Sequence, residues 1–393
     1  MSDETVQDYI FSQAHEDEKK MLLKHKSILG LPVSLIAQQI AARKKAEHKM
    51  PLFYQTKGVL YPLSLNLEQS SSQTTARFKA EIIQREIKSE NPLIADLTGG
   101  FGIDSFFLSA LANTLDYVEP SEELSQIVEH NFQVFKKDNV KFLKQTAEQF
   151  LNESSGRYNV VYLDPSRRDA KARKVFSLSD CAPNVVELLP DILKLTDFVL
   201  LKASPLLDIK QGLRELSQVK KVIVVSVSNE CKELLFLIEK NFVKEPMVQT
   251  FNLDNNGEVK HAFDFSLSEE EKATSEFTAP QKYLYEPNSS ILKTGGFKKI
   301  GEKFRVKKIQ VNTHLYSSDE FVKDFPGRIF EIEEMDVAAK KIAGSYANII
   351  CRNYPLSPEE LKKKLKTKDG GEKYLMAFSG LNKKYIVTAR RLA

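Results

Sequence analysis

Residues 1 to about 65 carry a helical pattern. Leu31 to Ile40 places apolar residues at helical spacing with Pro32 near the start, and the basic stretch Arg43-Lys44-Lys45 comes next. The polar run Leu67–Ala76 predicts a loop, and its serines stand where they cap a helix around Phe78–Ile83. From Asn91 to about Ser268 the pattern changes to short apolar runs alternating with helical ones. Strands are predicted at Leu93–Asp96, Leu115–Glu119, Tyr158–Leu163, Asp197–Lys202 and Lys221–Ser226, with helices at Ser105–Ala112 and Glu122–Val128. Such alternation predicts an α/β doubly wound parallel sheet. Val248–Phe251 and His261–Phe265, separated by Asn255-Asn256-Gly257, read as a hairpin. The acidic run Glu269-Glu270-Glu271 marks a domain boundary. Beyond it, a strand at Arg328–Ile332, a lysine-rich helix at Pro358–Lys366 and a terminal strand at Lys384–Ala389 suit a small α/β module. The expected division is 1–75, 76–270, 271–319 and 320–393.

The most informative stretch is Leu93–Asp104, where an apolar strand ends in Asp96 and runs into Leu97-Thr98-Gly99-Gly100-Phe101-Gly102. Glycines there let the chain turn sharply and let a ligand lie against bare peptide. Glu119, at the tip of the next strand and 23 residues after Asp96, stands where doubly wound folds place an acid on ribose hydroxyls. The pattern is D-x-T-x-G-x-G through Asp96, Thr98, Gly100 and Gly102, not the G-x-G-x-x-G of dinucleotide sites. An acid at the strand end repels a pyrophosphate and suits the ammonium and sulfonium of S-adenosylmethionine. A tight turn with no ligand is the alternative, and the two acids argue against it.

A further strand ends in Asp164-Pro165-Ser166-Arg167-Arg168-Asp169, which puts Asp164 at the ligand end of the sheet. With this motif the chain resembles the class I S-adenosylmethionine-dependent methyltransferases, whose fourth motif is D/N-P-P-Y or a relative. It is similar to a bacterial methyltransferase family with a ferredoxin-like segment and a C-terminal THUMP-like domain. The resemblance implies a Rossmann-like class I methyltransferase sheet over 76–270, an N-terminal helical region, a ferredoxin-like segment over 271–319 and a THUMP-like domain over 320–393.

That resemblance also implies roles. Asp96, Thr98, Gly100, Gly102 and Glu119 would bind the cofactor, with Asp96 on the methionine ammonium. The family's adenine-contacting acid is absent, and Thr146 is the best candidate. Gln69 and Ser71 would either touch the cofactor's carboxylate or simply cap a helix. Asp164, Pro165, Ser166 and Arg167 would form the catalytic motif, with Asp164 contacting the acceptor. Ser166 and Arg167 replace a proline and the aromatic that stacks on a base, so stacking comes from elsewhere or from arginine. Arg167, Arg168, Lys171, Arg173 and Lys174 form a basic cluster suited to phosphates, or else pair with nearby acids.

Composition adds direction. Residues 1–270 carry 33 basic and 38 acidic side chains, net −5, whereas 271–393 carry 24 and 15, net +9. A basic C-terminal third points to an anionic macromolecule, most simply nucleic acid, with a solvated lysine surface as the bland alternative; the THUMP-like resemblance implies RNA, because THUMP domains bind RNA. Cys181, Cys231 and Cys351 are isolated, so cytoplasmic residence is expected, and no histidine has metal-ligand spacing, so no metal is expected. No apolar run is long enough to span a membrane. The expected activity is S-adenosylmethionine-dependent methylation of a base nitrogen of tRNA or rRNA. Alternatives are a protein or small-molecule acceptor, or an RNA binder with a catalytically silent core.

Overall fold

The run Leu93–Asp96, buried from Ile94 onward, forms strand β1, and the sheet of the first unit grows on both sides of it. A computed structural model describes residues 3–13, 15–167 and 177–392. The chain divides into two units, the first made of 1–222, 232–244 and 255–257, the second of 223–231, 245–254 and 258–393.

In the first unit, β2 (Thr114–Val118) and β4 (Val160–Leu163) flank β1 in parallel, at Leu93↔Thr114 and Ile94↔Val160. Strand β3 (Val140–Leu143) adds to β2, and β5 (Phe198–Ala203) to β4, both parallel. Strand β6 (Val219–Val227) runs from the first unit into the second, and β7 (Glu230–Glu239) returns the chain to the first, pairing antiparallel with β5 at Ala203↔Leu234. The order β3-β2-β1-β4-β5-β7 has a parallel body and an antiparallel strand beside β5. Strands β3 and β7 have no counterpart among the predicted ones. In β7 the charged start Glu230-Cys231-Lys232-Glu233 hides an apolar run from Leu234 to Ile238 that is wholly buried. Ser228 and Asn229 make the preceding turn, both at positive φ.

The helical N-terminal region includes α1 (Val33–Lys49) and α2 (Gln73–Glu86). Helices α3 (Ile103–Ser109) and α4 (Glu122–Val134) come after β1 and β2. Phe53 meets Phe106 at 5.2 Å, Phe135 at 4.8 Å and Phe101 at 5.9 Å, so an aromatic cluster seats the early helices against the glycine turn. Asn131 on α4 clamps the Leu60 peptide, accepting from its N–H and donating to its carbonyl, each at 2.8 Å. No helix among the described residues is long and apolar enough to cross a membrane.

In the second unit, β8 (Met247–Leu253) and β9 (Val259–Ser266) pair antiparallel, as the Asn-Asn-Gly signal predicts. The acidic run lies in the helix Leu267–Lys272, closed by a Ser266/Glu269 capping box. A seven-stranded sheet completes the unit, built from β10 (Tyr283–Pro287), β11 (Lys307–Gln310), β12 (Thr313–Ser318), β13 (Gly327–Glu334), β14 (Asn348–Arg352), β15 (Lys373–Ser379) and β16 (Lys384–Arg391). Its order is β11-β12-β10-β13-β16-β15-β14, and only β14 and β15 run parallel. Leu284, Leu315, Phe330, Met376 and Val387 form its core. Glu286 on β10 is buried and takes Arg328 on one oxygen and Arg352 on the other.

Candidate active site

Strand β1 delivers Asp96 to a turn whose backbone is fastened on all sides. Gly99 N–H donates to the Val118 carbonyl at 2.9 Å, and Leu97 N–H to the Tyr162 carbonyl at 3.1 Å. The buried Tyr117 hydroxyl donates to the Gly100 carbonyl at 2.6 Å. Gly102 sits at φ +71°, and a Cβ there would lie 2.6 Å from Val128. A Cβ on Gly99 would strike the Tyr117 ring at 2.2 Å, so packing calls for glycine there. At Gly100, φ +55°, the nearest atom to a Cβ is the Thr98 carbonyl oxygen at 3.7 Å, so this face of the turn is open.

Asp96 serves the turn itself. It is 1% exposed, accepts from Thr98 N–H at 3.0 Å, and accepts from Ser105 on its other oxygen. Burial pushes its carboxyl up to about 7 despite these bonds. Glu119 comes directly after β2, accepting from Gly100 N–H at 3.0 Å and Ser121 N–H at 2.8 Å. It is half-buried and places a carboxylate beside the open face of the turn.

Across β4 the turn meets the fourth motif. Asp164 N–H donates to Thr98 Oγ1 at 2.6 Å, which couples the two motifs directly. The Asp164 carboxylate ion-pairs through Oδ2 with Lys202 at the end of β5, and 30% of its side chain is exposed against 13% for Lys202. Burial raises the Asp164 carboxyl and Lys202 opposes that, with a net upward shift. Burial disfavours the Lys202 ammonium, but Asp164, Glu233 and Asp104 together hold it charged.

Behind this pair lies a buried network. Asp104 accepts from Ser71 at 2.7 Å and Tyr162 at 2.9 Å, and pairs with Lys79 at 3.0 Å. Lys79 also pairs with Glu233 at 2.6 Å. Burial works against the Asp104 charge, but Lys79 and then Lys202 keep its carboxyl below the usual range. Near this cluster, Lys49 donates to the carbonyls of Leu67 at 2.8 Å and Glu68 at 2.7 Å. Burial, then the charge of Lys202, pulls its ammonium down to about 8.

Asp96, Thr98, Gly100, Gly102, Glu119 and Asp164 therefore converge at the carboxyl ends of β1, β2 and β4. Thr146 stands apart from these bonds, in a capping box with Gln149 at the start of the helix Ala147–Glu153. Ser71 joins the Asp104 network, and Ser72 is the residue that caps α2. Pro165 comes next after Asp164, and Ser166 and Arg167 form a two-residue ribbon with Ala182 and Cys181. Arg168, Lys171, Arg173 and Lys174 lie outside the described residues. Lys79, Asp104, Tyr162, Lys202 and Glu233 are site residues that the sequence pattern does not pick out. A lysine between Phe78 and Ala80 on the apolar face of α2, and an acid opening the apolar run of β7, are the signals it offers.

A ferredoxin-like domain family matches residues 283–326, and a THUMP domain-like family matches 327–391. No curated protein matches the chain in sequence. Among solved structures, a presumed methyltransferase of Porphyromonas gingivalis W83 is 29% identical, with a TM-score of 0.88 over 99% of this chain and 98% of that one. The chain shares the fold of that protein, a mixed α/β sheet unit joined to ferredoxin-like and THUMP-like domains. Two smaller likenesses are to presumed methyltransferases. One, from Streptococcus mutans in complex with SAH, is 15% identical, TM-score 0.33, over 41% of this chain and 95% of that one. The other, a class I S-adenosylmethionine-dependent protein of Listeria monocytogenes, is 12% identical, TM-score 0.38, over 64% and 93%. Within this fold, the glycine turn comes directly after strand β1 and Asp164 directly after the adjacent β4.

Proposed function

We propose that the protein is an S-adenosylmethionine-dependent methyltransferase acting on a base nitrogen of tRNA or rRNA. The observation that carries this reading is the hydrogen bond from Asp164 N–H to Thr98 Oγ1, which joins the cofactor motif to the acceptor motif at one end of the sheet. The residues fit the cofactor. The open face at Gly100 accommodates a ligand against bare backbone, and Glu119 offers a carboxylate for ribose hydroxyls beside it. Asp96, enclosed by Thr98 and Ser105, shapes the turn from within. When bound, S-adenosylmethionine supplies an electrophilic methyl group.

Asp164 then acts on the acceptor. Its Oδ1 accepts no hydrogen bond from the described residues and is available to receive an N–H of the acceptor. An ionised carboxylate there orients the nitrogen and draws its proton as the new N–C bond forms. The basic C-terminal third, net +9 over 271–393, and the THUMP domain-like match support RNA as the acceptor.

The test is transfer of labelled methyl from S-adenosylmethionine to total RNA from a strain lacking the gene, beside wild-type RNA and Asp164→Ala enzyme. Label confined to deletion-strain RNA and wild-type enzyme is the expected result. Calorimetry showing cofactor binding, with no label in any RNA, would overturn the RNA reading.

A further inference from the structure

We propose that Lys202 is a positioning residue of the acceptor site, holding Asp164 as a carboxylate with one oxygen fixed and the other turned to the acceptor. The proposal rests on the reading of Asp164 given above.

The sheet register places the two side by side. β4 and β5 run parallel with Leu163 opposite Leu201, so the next residues, Asp164 and Lys202, lie together at the strands' carboxyl ends. Lys202 is the deeper of the two, with 13% of its side chain exposed against 30% for Asp164. It grips Oδ2 from the interior and leaves Oδ1 without a hydrogen bond among the described residues.

The surroundings make this grip necessary. Around Asp164 stand Asp104 on α3, Lys79 on α2, Asp96 on β1, Tyr162 on β4 and, facing Lys202, Glu233 on β7. Asp104, Glu233 and Asp164 thus share the ammonium groups of Lys79 and Lys202, and the Lys49 ammonium faces Lys202. Lys79 is committed to Asp104 at 3.0 Å and Glu233 at 2.6 Å. Among the described residues Lys202 is therefore the cation bonded to Asp164. Without it, burial and neighbouring acids both favour the protonated carboxyl. A protonated carboxyl presents an O–H donor and no longer takes the acceptor's proton. Lys202 thereby favours acceptors that offer a proton to the carboxylate, such as an N–H.

The experiment tracks the Asp164 carboxyl by NMR in protein labelled with carboxyl-13C aspartate, using Asp164→Asn to assign the resonance. In Lys202→Met the Asp164 midpoint is expected to rise by about one to three pH units, the usual effect of a close cation. Lys202→Arg, which keeps the charge, restores a midpoint near wild type. In methyl transfer, the acid limb of kcat/KM moves up by the same interval in Lys202→Met, a change a merely structural lysine would not produce. An unchanged Asp164 midpoint in Lys202→Met overturns the proposal; should that variant not fold, Lys202→Gln is read by the same criterion. Wild-type enzyme that transfers no methyl to RNA counts against the functional reading, whereas the titration still decides whether Lys202 governs Asp164.

Discussion

Lys79 and Glu233 form an ion pair at 2.6 Å although 154 residues separate them, and only 1% and 4% of their side chains reach solvent. Removing water from both charges is costly, and their attraction repays it only when every charge in the group is matched. Lys79 pairs with Asp104 as well, so its ammonium is shared by two buried carboxylates, and the nearby Lys202 supplies the second positive charge. Lys79→Met is expected to lower the stability of the first unit by about 3–5 kcal/mol, because both acids are left without their cation. Urea denaturation measures it, and a loss under about 1 kcal/mol would refute this account of the network. Lys79→Met combined with Glu233→Met should be less damaging than the sum of the two.

Asp96 gives the stability a pH dependence of unusual sign. Its carboxyl is raised from 3.8 to about 7 in the folded protein, so the folded state keeps a proton that the unfolded chain releases. Stability should therefore fall as pH rises through that window, by on the order of a few kcal/mol. Asp104, held below its usual value, acts at more acid pH, and its contribution disappears as pH falls. Asp96→Asn is expected to flatten the profile between pH 4 and pH 7, measured through urea midpoints. A profile that keeps its full slope would mean the proton sits elsewhere.

The glycine turn is legible in the sequence because its chemistry is local. Asp96, Thr98, Gly100 and Gly102 are neighbours along the chain, and a backbone at positive φ with no room for Cβ leaves few residue choices. The parallel strands β1, β2, β4 and β5 are legible for the same reason, each being a short apolar run. The charged network is not. Lys79, Asp104, Tyr162 and Glu233 come from four separate elements, and although the apolar face of α2 hints that Lys79 folds inward, no local pattern names its partners. Strand β7 escapes the sequence pattern because its opening residues, Glu230-Cys231-Lys232-Glu233, are polar and charged rather than strand-like. Only the pairing with β5, which the local sequence does not reveal, explains why Leu234–Ile238 are buried behind them.

Gly102→Ala tests the turn. The new methyl group would lie 2.6 Å from Val128 at φ +71°, a combination of collision and backbone strain. A cost of about 1–3 kcal/mol is expected, with weaker S-adenosylmethionine binding by calorimetry. Gly100→Ala has open space but also positive φ, so its loss should be smaller. Equal losses at both positions would show that strain, not the contact with Val128, decides.

The lysine-rich helix Pro358–Leu365 offers a separate test of RNA binding. Lys363 and Lys364 are exposed in its last turn. Exchanging both for glutamine should weaken RNA binding across all sequences and reduce the steepness of its salt dependence by about one to two counterions. Fluorescence anisotropy at several salt concentrations reads this directly. A salt slope that does not change would remove this helix from the RNA surface.

The polypeptide crosses from one unit to the other at 222/223, 231/232, 244/245, 254/255 and 257/258. A ribosome releasing this chain cannot deliver the first unit complete before it starts the second. The part of β7 that carries Glu233 to Lys79 emerges only after residues 223–231 of the second unit. Until then the nascent first unit holds Lys79 and Asp104 without their third partner, and the sheet lacks the strand that covers β5. Final closure of the charged network therefore belongs to a late step of synthesis, and a fragment ending before β7 would leave the ribosome as an open-edged sheet prone to association.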